Sequence, residues 1–144
     1  ISAYSFIDMA KKAEPLMKDG GTLITLTYQG SRKATPWYNV MGVAKAALES
    51  AVVYLANDLG PQKIRVNAIS PGPMKTLSGA AIGGARKTFR FTEANAPLRA
   101  NATKASIGGT AVYLASDYGE CTTGETIMVD GGLHILGLPQ PENF

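Results

Sequence analysis

Cysteine and histidine each occur once in the 144 residues, as Cys121 and His134. A lone cysteine closes no internal disulfide and supplies no thiolate set for a metal, so it points to a reducing, cytoplasmic setting. A single histidine, with no Ser or Asp pattern calling for it, gives little basis for a His-based triad. Charge is sparse: Asp, Glu, Lys and Arg together make 17% of the chain, with a formal net charge of +3. The basic residues, among them Lys11, Lys12, Arg32, Lys33, Arg86 and Lys87, are scattered like ordinary solvated surface and form no nucleic-acid stripe. No run approaches the roughly eighteen apolar residues of a membrane span, and no signal peptide is visible. A dinucleotide fingerprint is missing too. No G-x-G-x-x-G follows a strand, and the stretch Gly79 to Gly84 lacks that context. The opening ISAYSFIDMAKKAEPL has no Met and reads as entry into the middle of a domain.

What is present is a globular composition, with 45% hydrophobic residues, 16 glycines and 8 prolines, enough for one domain with a core and tight turns. Phe6, Met9, Ala10, Ala13, Leu16 and Met17 recur at helical steps and predict a helix from Ser2 to Met17, stopped by Asp19-Gly20-Gly21. Leu23 to Thr27 predicts a buried strand. A second helix is expected from about Pro36 to Asn57 or Asp58. Thr35 is its expected N-cap, Gly60 its C-cap and Pro61 its stop. Its apolar residues cover much of the circumference, which predicts packing on a sheet and on another subunit. Ile64 to Ile69 predicts a second strand, and Ser70-Pro71-Gly72-Pro73 a turn at the end where open α/β sheets bind ligands. Met74 to Asn101 is expected to hold one or two short helices in a mobile flap. Thr103 is expected to cap a helix from Lys104 to Asp117, in which Gly108-Gly109 implies close packing. Thr126 to Val129 predicts a third strand before Asp130-Gly131-Gly132, and the tail is expected to wrap onto a neighbour or fray. Strands alternating with helices over short connections give an α/β class with a parallel sheet.

The chemistry concentrates between Thr22 and Asp58. Tyr38 and Lys45 lie seven residues apart, close to two helical turns, on one face of the predicted helix. Tyr28 lies at the end of the preceding strand. A phenol can hydrogen-bond an oxygen that develops negative charge. A nearby ammonium lowers the cost of phenolate character and can grip vicinal hydroxyls.

Tyr38-x6-Lys45 resembles the signature of the short-chain dehydrogenase/reductase superfamily. Three wider strings are more specific: Tyr28 with Tyr38-Asn39-Val40-Met41-Gly42-Val43-Ala44-Lys45-Ala46, Arg65-Val66-Asn67-Ala68-Ile69-Ser70-Pro71-Gly72-Pro73, and Gly124-Glu125 with Val129-Asp130-Gly131-Gly132. Together they resemble the NADH-dependent enoyl-[acyl-carrier-protein] reductase family of bacterial type II fatty acid synthesis. The resemblance covers essentially all of the chain but only the C-terminal half, or a little more, of the family's domain. It implies the C-terminal half of a Rossmann-like parallel sheet domain with helices on both faces. Residues 1–144 are then the C-terminal part of one dinucleotide-binding reductase domain, with a flexible substrate loop at about 75–101.

The implied reaction is reduction of the trans-2 double bond of an enoyl thioester on acyl carrier protein, with NAD as the cofactor in its reduced form. Tyr38 would hydrogen-bond the thioester carbonyl, Lys45 would hold the nicotinamide ribose, and Tyr28 would line the acyl pocket. Met74, Lys75, Thr76, Leu77 and Ser78 would meet the nicotinamide and pyrophosphate. The resemblance also implies a homotetramer with the first two helices in its contacts, and an N-terminal portion of the same domain as complement. No metal, membrane or nucleic-acid partner is implied. An alcohol-forming short-chain dehydrogenase of the 3-ketoacyl reductase type, with Thr27 supplying the hydroxyl, is the nearest enzymatic rival. A non-catalytic scaffold half-domain is the other alternative. Pro71, Ala100, Asn101 and Ala105-Ser106 depart from the family pattern, and the last pair is expected to weaken the start of its helix.

Overall fold

The computed structural model describes residues 2–76 and 84–143. Its elements are α1 (Ser2–Ala13), β1 (Gly21–Leu26), α2 (Val40–Leu59), β2 (Ile64–Pro71), α3 (Ala85–Asn95), α4 (Lys104–Ala115) and β3 (Thr126–Val129). The strands form a parallel sheet in the order β1-β2-β3. The register pairs Gly21 with Ile64, Leu26 with Ile69, and Pro71 with Val129.

β2 is buried because it is the central strand. Its side chains alternate between the two faces. Ile64, Val66 and Ala68 join Leu48, Val52, Ala56 and Leu59 of α2 and Phe6 of α1 in one apolar cluster. Helix α4 packs against β1 and β2, so helices cover both faces of the sheet. On β2, Asn67 is fully buried and bonded at both ends of its amide. Its amide donates to the Thr122 carbonyl at 2.8 Å, and its side-chain oxygen accepts from the Glu125 amide at 3.0 Å. These bonds hold the turn that delivers β3.

The first helix ends at Ala13, four residues before the expected Met17, because Pro15 tightens Glu14–Leu16 into a 3-10 turn. The second helix begins at Val40, not near Pro36. Thr35 does not cap it; the N-cap is Asn39, at φ 43°, and Trp37 stands at φ 66°. Positive φ at two residues cannot continue a right-handed helix, so residues 35–39 form turns. Gly60 is the C-cap as expected, and α2 ends at Leu59, a residue or two past the expected Asn57 or Asp58. β1 starts two residues early, and β2 runs two residues past Ile69.

Thr103 caps α4 in a reciprocal box. The Ser106 amide donates to Thr103 Oγ1 at 3.0 Å, and the Thr103 amide donates to Ser106 Oγ at 3.0 Å. Ser106 therefore does the work of the absent acidic residue, and the expected weakness at this helix start is offset. Close packing at Gly108-Gly109 is not found among the described residues: a Cβ at either would meet nothing within 4 Å.

Rather than fraying, the described tail residues dock on their own chain. The Gln140 amide donates to Asn95 Oδ1 at 2.8 Å, and Arg99 pairs with Glu142 at 3.0 Å. α3 realises one helix of the expected flap; residues 77–83 lie outside the described part. By length and composition alone, Val40–Gln62 could cross a bilayer, although the sequence has no uninterrupted apolar run of that length. It carries Lys45 and Glu49, and Leu48 and Val52 are buried in the core.

Candidate active site

The C-terminal ends of β1 and β2 open onto a cleft of about 550 Å³, the place where open α/β sheets hold ligands. Tyr28, Tyr38 and Lys45 all line it, with Pro71, Gly72, Pro73, Met74 and Thr76 along the β2 side. Thr88 of α3 and Lys104 and Ile107 of α4 complete the wall. Of the expected cofactor contacts, Met74 and Thr76 face the cleft. The Lys75 ammonium instead lies 4.7 Å from the centre of the Phe89 ring, a cation–π contact. Leu77 and Ser78 lie outside the described residues.

Each central side chain is placed by a different local cause. Tyr28 follows β1 directly and is held in extended conformation, at φ −156° and ψ 147°, before a 3-10 turn at Gln29–Ser31. Tyr38 is not on the helix, contrary to the sequence expectation. It sits between the two positive-φ residues Trp37 and Asn39, in a turn closed by its amide donating to the Thr35 carbonyl at 3.1 Å. Strain of this kind persists only where the surroundings over-determine it. Here the surroundings are Tyr28, whose ring centre is 5.0 Å from that of Tyr38 at a tilt of 58°, and Gly30. A Cβ at Gly30 would stand 2.5 Å from the Tyr38 ring, and a Cβ at Gly42 would stand 2.6 Å from the Gly30 carbonyl oxygen. Two bare α-carbons thus let the loop, the ring and the helix start touch. Lys45, in the second turn of α2, donates to the Leu26 carbonyl at 2.9 Å. That bond answers why a lysine lies within an apolar helix: its ammonium caps the C-terminal end of β1.

Burial sets the ionisation of all three. It raises the Tyr38 phenol above its ordinary value, and the neighbouring Tyr28 adds to the rise. Burial likewise raises Tyr28; its bond with Gln29 opposes the rise and the Asp130 carboxylate reinforces it. Lys45 is lowered by desolvation, partly offset by the Glu49 carboxylate. The sequence expectation that the ammonium eases phenolate formation at Tyr38 gives way to desolvation. Both phenols are neutral donors at physiological pH, suited to stabilising an oxyanion in a partner molecule.

Sequence reasoning missed three groups. Glu49 accepts bonds from Thr27, Ser31 and Arg32; its position four residues after Lys45 was the available signal. Asp130 is buried and accepts from the Gly132 and His134 amides, each at 2.9 Å. His134 Nδ1 also lies 2.9 Å from Asp130 Oδ1, a pairing that the four-residue spacing hinted at. Lys104 faces the cleft from the first turn of α4, and nothing in its sequence context marks it. Among the described residues, no three or more His, Cys, Asp or Glu side chains converge as a metal site.

Comparison with known proteins agrees with this geometry. A family model described as "Enoyl-(Acyl carrier protein) reductase" matches residues 1–134. The chain is 52% identical over 137 residues to an enoyl-[acyl-carrier-protein] reductase [NADH] of Rickettsia typhi, covering 95% of this chain and 52% of that protein. It is 51% identical over 142 residues to one of Rhizobium meliloti, covering 99% of this chain and 53% of that protein. Among solved structures, the Anaplasma phagocytophilum enzyme in complex with NAD superposes with a TM-score of 0.92 at 54% identity, covering 97% of this chain and 53% of that one. The Bacillus cereus enzyme with NADP+ and indole naphthyridinone gives 0.93 at 52% identity, with 96% and 54% coverage. The chain therefore spans about half the length of the relatives it matches. The paired tyrosines, the lysine under the strand end and the match along residues 1–134 agree on one assignment: this chain belongs to the enoyl-(acyl carrier protein) reductase family.

Proposed function

We propose that the chain is the C-terminal part of a cytoplasmic NADH-dependent enoyl-[acyl-carrier-protein] reductase, acting on the trans-2 double bond of enoyl thioesters in fatty acid elongation. The observation that carries this reading is the convergence of Tyr28, Tyr38 and Lys45 on one cleft at the ends of β1 and β2. When bound, NADH would supply the hydride for the β-carbon of the enoyl thioester. Tyr38, protonated because it is buried, donates to the thioester carbonyl oxygen as the enolate forms. Tyr28 walls the acyl group against the Tyr38 ring.

Lys45 fits the nicotinamide ribose by its donor chemistry. Among the described residues its acceptor is the Leu26 carbonyl, which leaves further N–H donors for a vicinal diol. Met74 and Thr76 line the cleft where the nicotinamide amide and pyrophosphate would lie, with Lys75, Leu77 and Ser78 on the same segment. The segment at about 75–101 is the substrate loop in this reading. Residues 1–144 are one part of a single dinucleotide-binding domain, and the outer edge of β1 takes its next strand from an N-terminal portion. A homotetramer accounts for the apolar surface of α1 and α2, where Met9, Val43 and Tyr54 are exposed; solution mass measures it.

The alcohol-forming alternative loses its donor. Thr27 Oγ1 gives its proton to Glu49 at 2.7 Å and is buried. The test is NADH oxidation by the full-length protein, with crotonyl and acetoacetyl thioesters in parallel. Turnover of the crotonyl thioester alone is expected, and preferential reduction of the acetoacetyl thioester overturns the reading. Residues 1–144 alone are expected to bind no NADH tightly and to show no turnover, and measurable reductase activity from them refutes the half-site assignment.

A further inference from the structure

Glu49 has no part in the chemistry just proposed, yet it gathers an unusual set of bonds. It lies on α2 one turn after Lys45, with its side chain only 12% exposed. Its Oε1 accepts from Thr27 Oγ1 at 2.7 Å and from Ser31 Oγ, and its Oε2 accepts from Arg32 Nε at 2.9 Å. Thr27 and Ser31 bracket Tyr28 and the Gln29–Ser31 turn. One carboxylate therefore fastens both ends of the segment that carries Tyr28 to the helix that carries Lys45. Between those ends the segment has little freedom. Gly30 touches the Tyr38 ring, and its carbonyl oxygen presses on Gly42.

We propose that Glu49 is a positioning residue for the reductase site: its carboxylate fixes the Tyr28 turn against Tyr38 and sets a negative charge one helical turn from Lys45. The inference rests on the function proposed above for its kinetic consequences, but not for its geometry. The sign of the electrostatic effect follows from the neighbours. Tyr28 and Tyr38 line the cleft with Lys45 as neutral phenols, Lys104 faces the same cleft as a cation, and Arg32 pairs with Glu49. Glu49 opposes the desolvation that already lowers Lys45. Removing its charge leaves the desolvation of Lys45 unopposed, which lets its proton go at lower pH.

Three variants of the full-length reductase separate position from charge. Glu49→Gln keeps an acceptor oxygen for Thr27 and Ser31 but removes the charge. Glu49→Ala removes both. Thr27→Val with Ser31→Ala keeps the charge and releases the turn. NMR titration of labelled lysine is expected to show Lys45 losing its proton at lower pH in both Glu49 variants, and at the wild-type pH in the Thr27/Ser31 variant. Misplacing the turn is expected to lower kcat about tenfold in Glu49→Ala and in the Thr27/Ser31 variant, with KM for the thioester changed less than about threefold. Glu49→Gln is expected to lose less kcat than Glu49→Ala.

A purely structural role would lower kcat in step with thermal melting and leave the Lys45 titration unmoved, and that result overturns the proposal. So does a Glu49→Ala enzyme within about twofold of wild-type kcat. Should Glu49→Ala fail to fold, the Gln variant and the Thr27/Ser31 variant still decide. If the wild-type protein fails to reduce enoyl thioesters, the functional reading falls. The Lys45 titration in Glu49→Gln still rules on Glu49: a fall upholds its role and no change refutes it.

Discussion

Gly42→Ala sets two effects of opposite sign against each other. Gly42 lies in the first turn of α2, where alanine gains up to about 1 kcal/mol in helix propensity. The new Cβ, however, would stand 2.6 Å from the Gly30 carbonyl oxygen. A carbon and a carbonyl oxygen approach to about 3.3 Å, so something must move by roughly 0.7 Å. The obstacle is backbone, not the tip of a flexible side chain. The Gly30 segment cannot withdraw freely, because Glu49 holds Thr27 and Ser31 on one side and Tyr38 lies against it on the other.

Overpacking of this kind costs about 1–3 kcal/mol, more than the propensity gain. The expected net loss is up to about 2 kcal/mol, or up to roughly 4–8 °C in Tm for a protein of this family's full length. Because the displaced turn carries Tyr28 and abuts Tyr38, kcat is expected to fall about tenfold as well. Differential scanning calorimetry and NADH-oxidation kinetics on the full-length protein read both quantities. Gly60→Ala is the matched control, because Gly60 has φ −54° and ψ −44° and nothing within 4 Å of its added Cβ. It is expected to raise stability by about 0.4–1 kcal/mol. A Gly42→Ala protein that gains stability as Gly60→Ala does, with unchanged kcat, refutes the claim that the loop is pinned.

Tyr38→Phe removes the oxyanion donor and keeps the ring, so kcat in the full-length enzyme should fall about 10²–10³-fold with little change in Tm. A loss under about fivefold would move the oxyanion contact elsewhere. Activity should also decline on the alkaline side, where Lys45 loses its proton at a pH below the ordinary lysine value of 10.5, because desolvation lowers it. Burial raises both phenols above their ordinary value, so they stay protonated through neutral pH. A pH–rate profile with its alkaline limb at or above 10.5 contradicts the lowering of Lys45. Thr103→Ala breaks the capping box of α4 and is expected to cost about 0.5–2 kcal/mol in a denaturant melt; an unchanged midpoint would mean the box is idle.

The strands were the most legible part of the sequence. Ile64 to Ile69 is bounded by turn residues, and its β-branched Ile64, Val66 and Ile69 mark it as a strand. The three site residues were legible as chemistry but not as geometry. Pro36 after a threonine imitates a helix start, and only the backbone reveals that Trp37 and Asn39 take positive φ, which places Tyr38 in a turn. Glu49 was overlooked because a glutamate on a helix ordinarily serves solvent. Its role depends on Thr27 and Ser31, 22 and 18 residues earlier in sequence. Gly108-Gly109 misled in the other direction: the low helix propensity was read as close packing, and the described residues leave that face open. Tail docking through Asn95 spans 45 residues and had no local sign in the sequence.

Trp37 is the one tryptophan in this chain, and its indole lies against Gly84 at the start of α3, beside Tyr38. It is 60% exposed. The chain thus carries a single indole, next in sequence to Tyr38, which lines the cleft. Reduced nicotinamide absorbs where indole emits, so a dinucleotide seated near Lys45 would quench Trp37 by energy transfer. A displacement of α3 relative to residue 37 would shift the emission without quenching it. The two signals separate cofactor arrival from rearrangement of the cleft wall, in the unmodified protein and without an external dye.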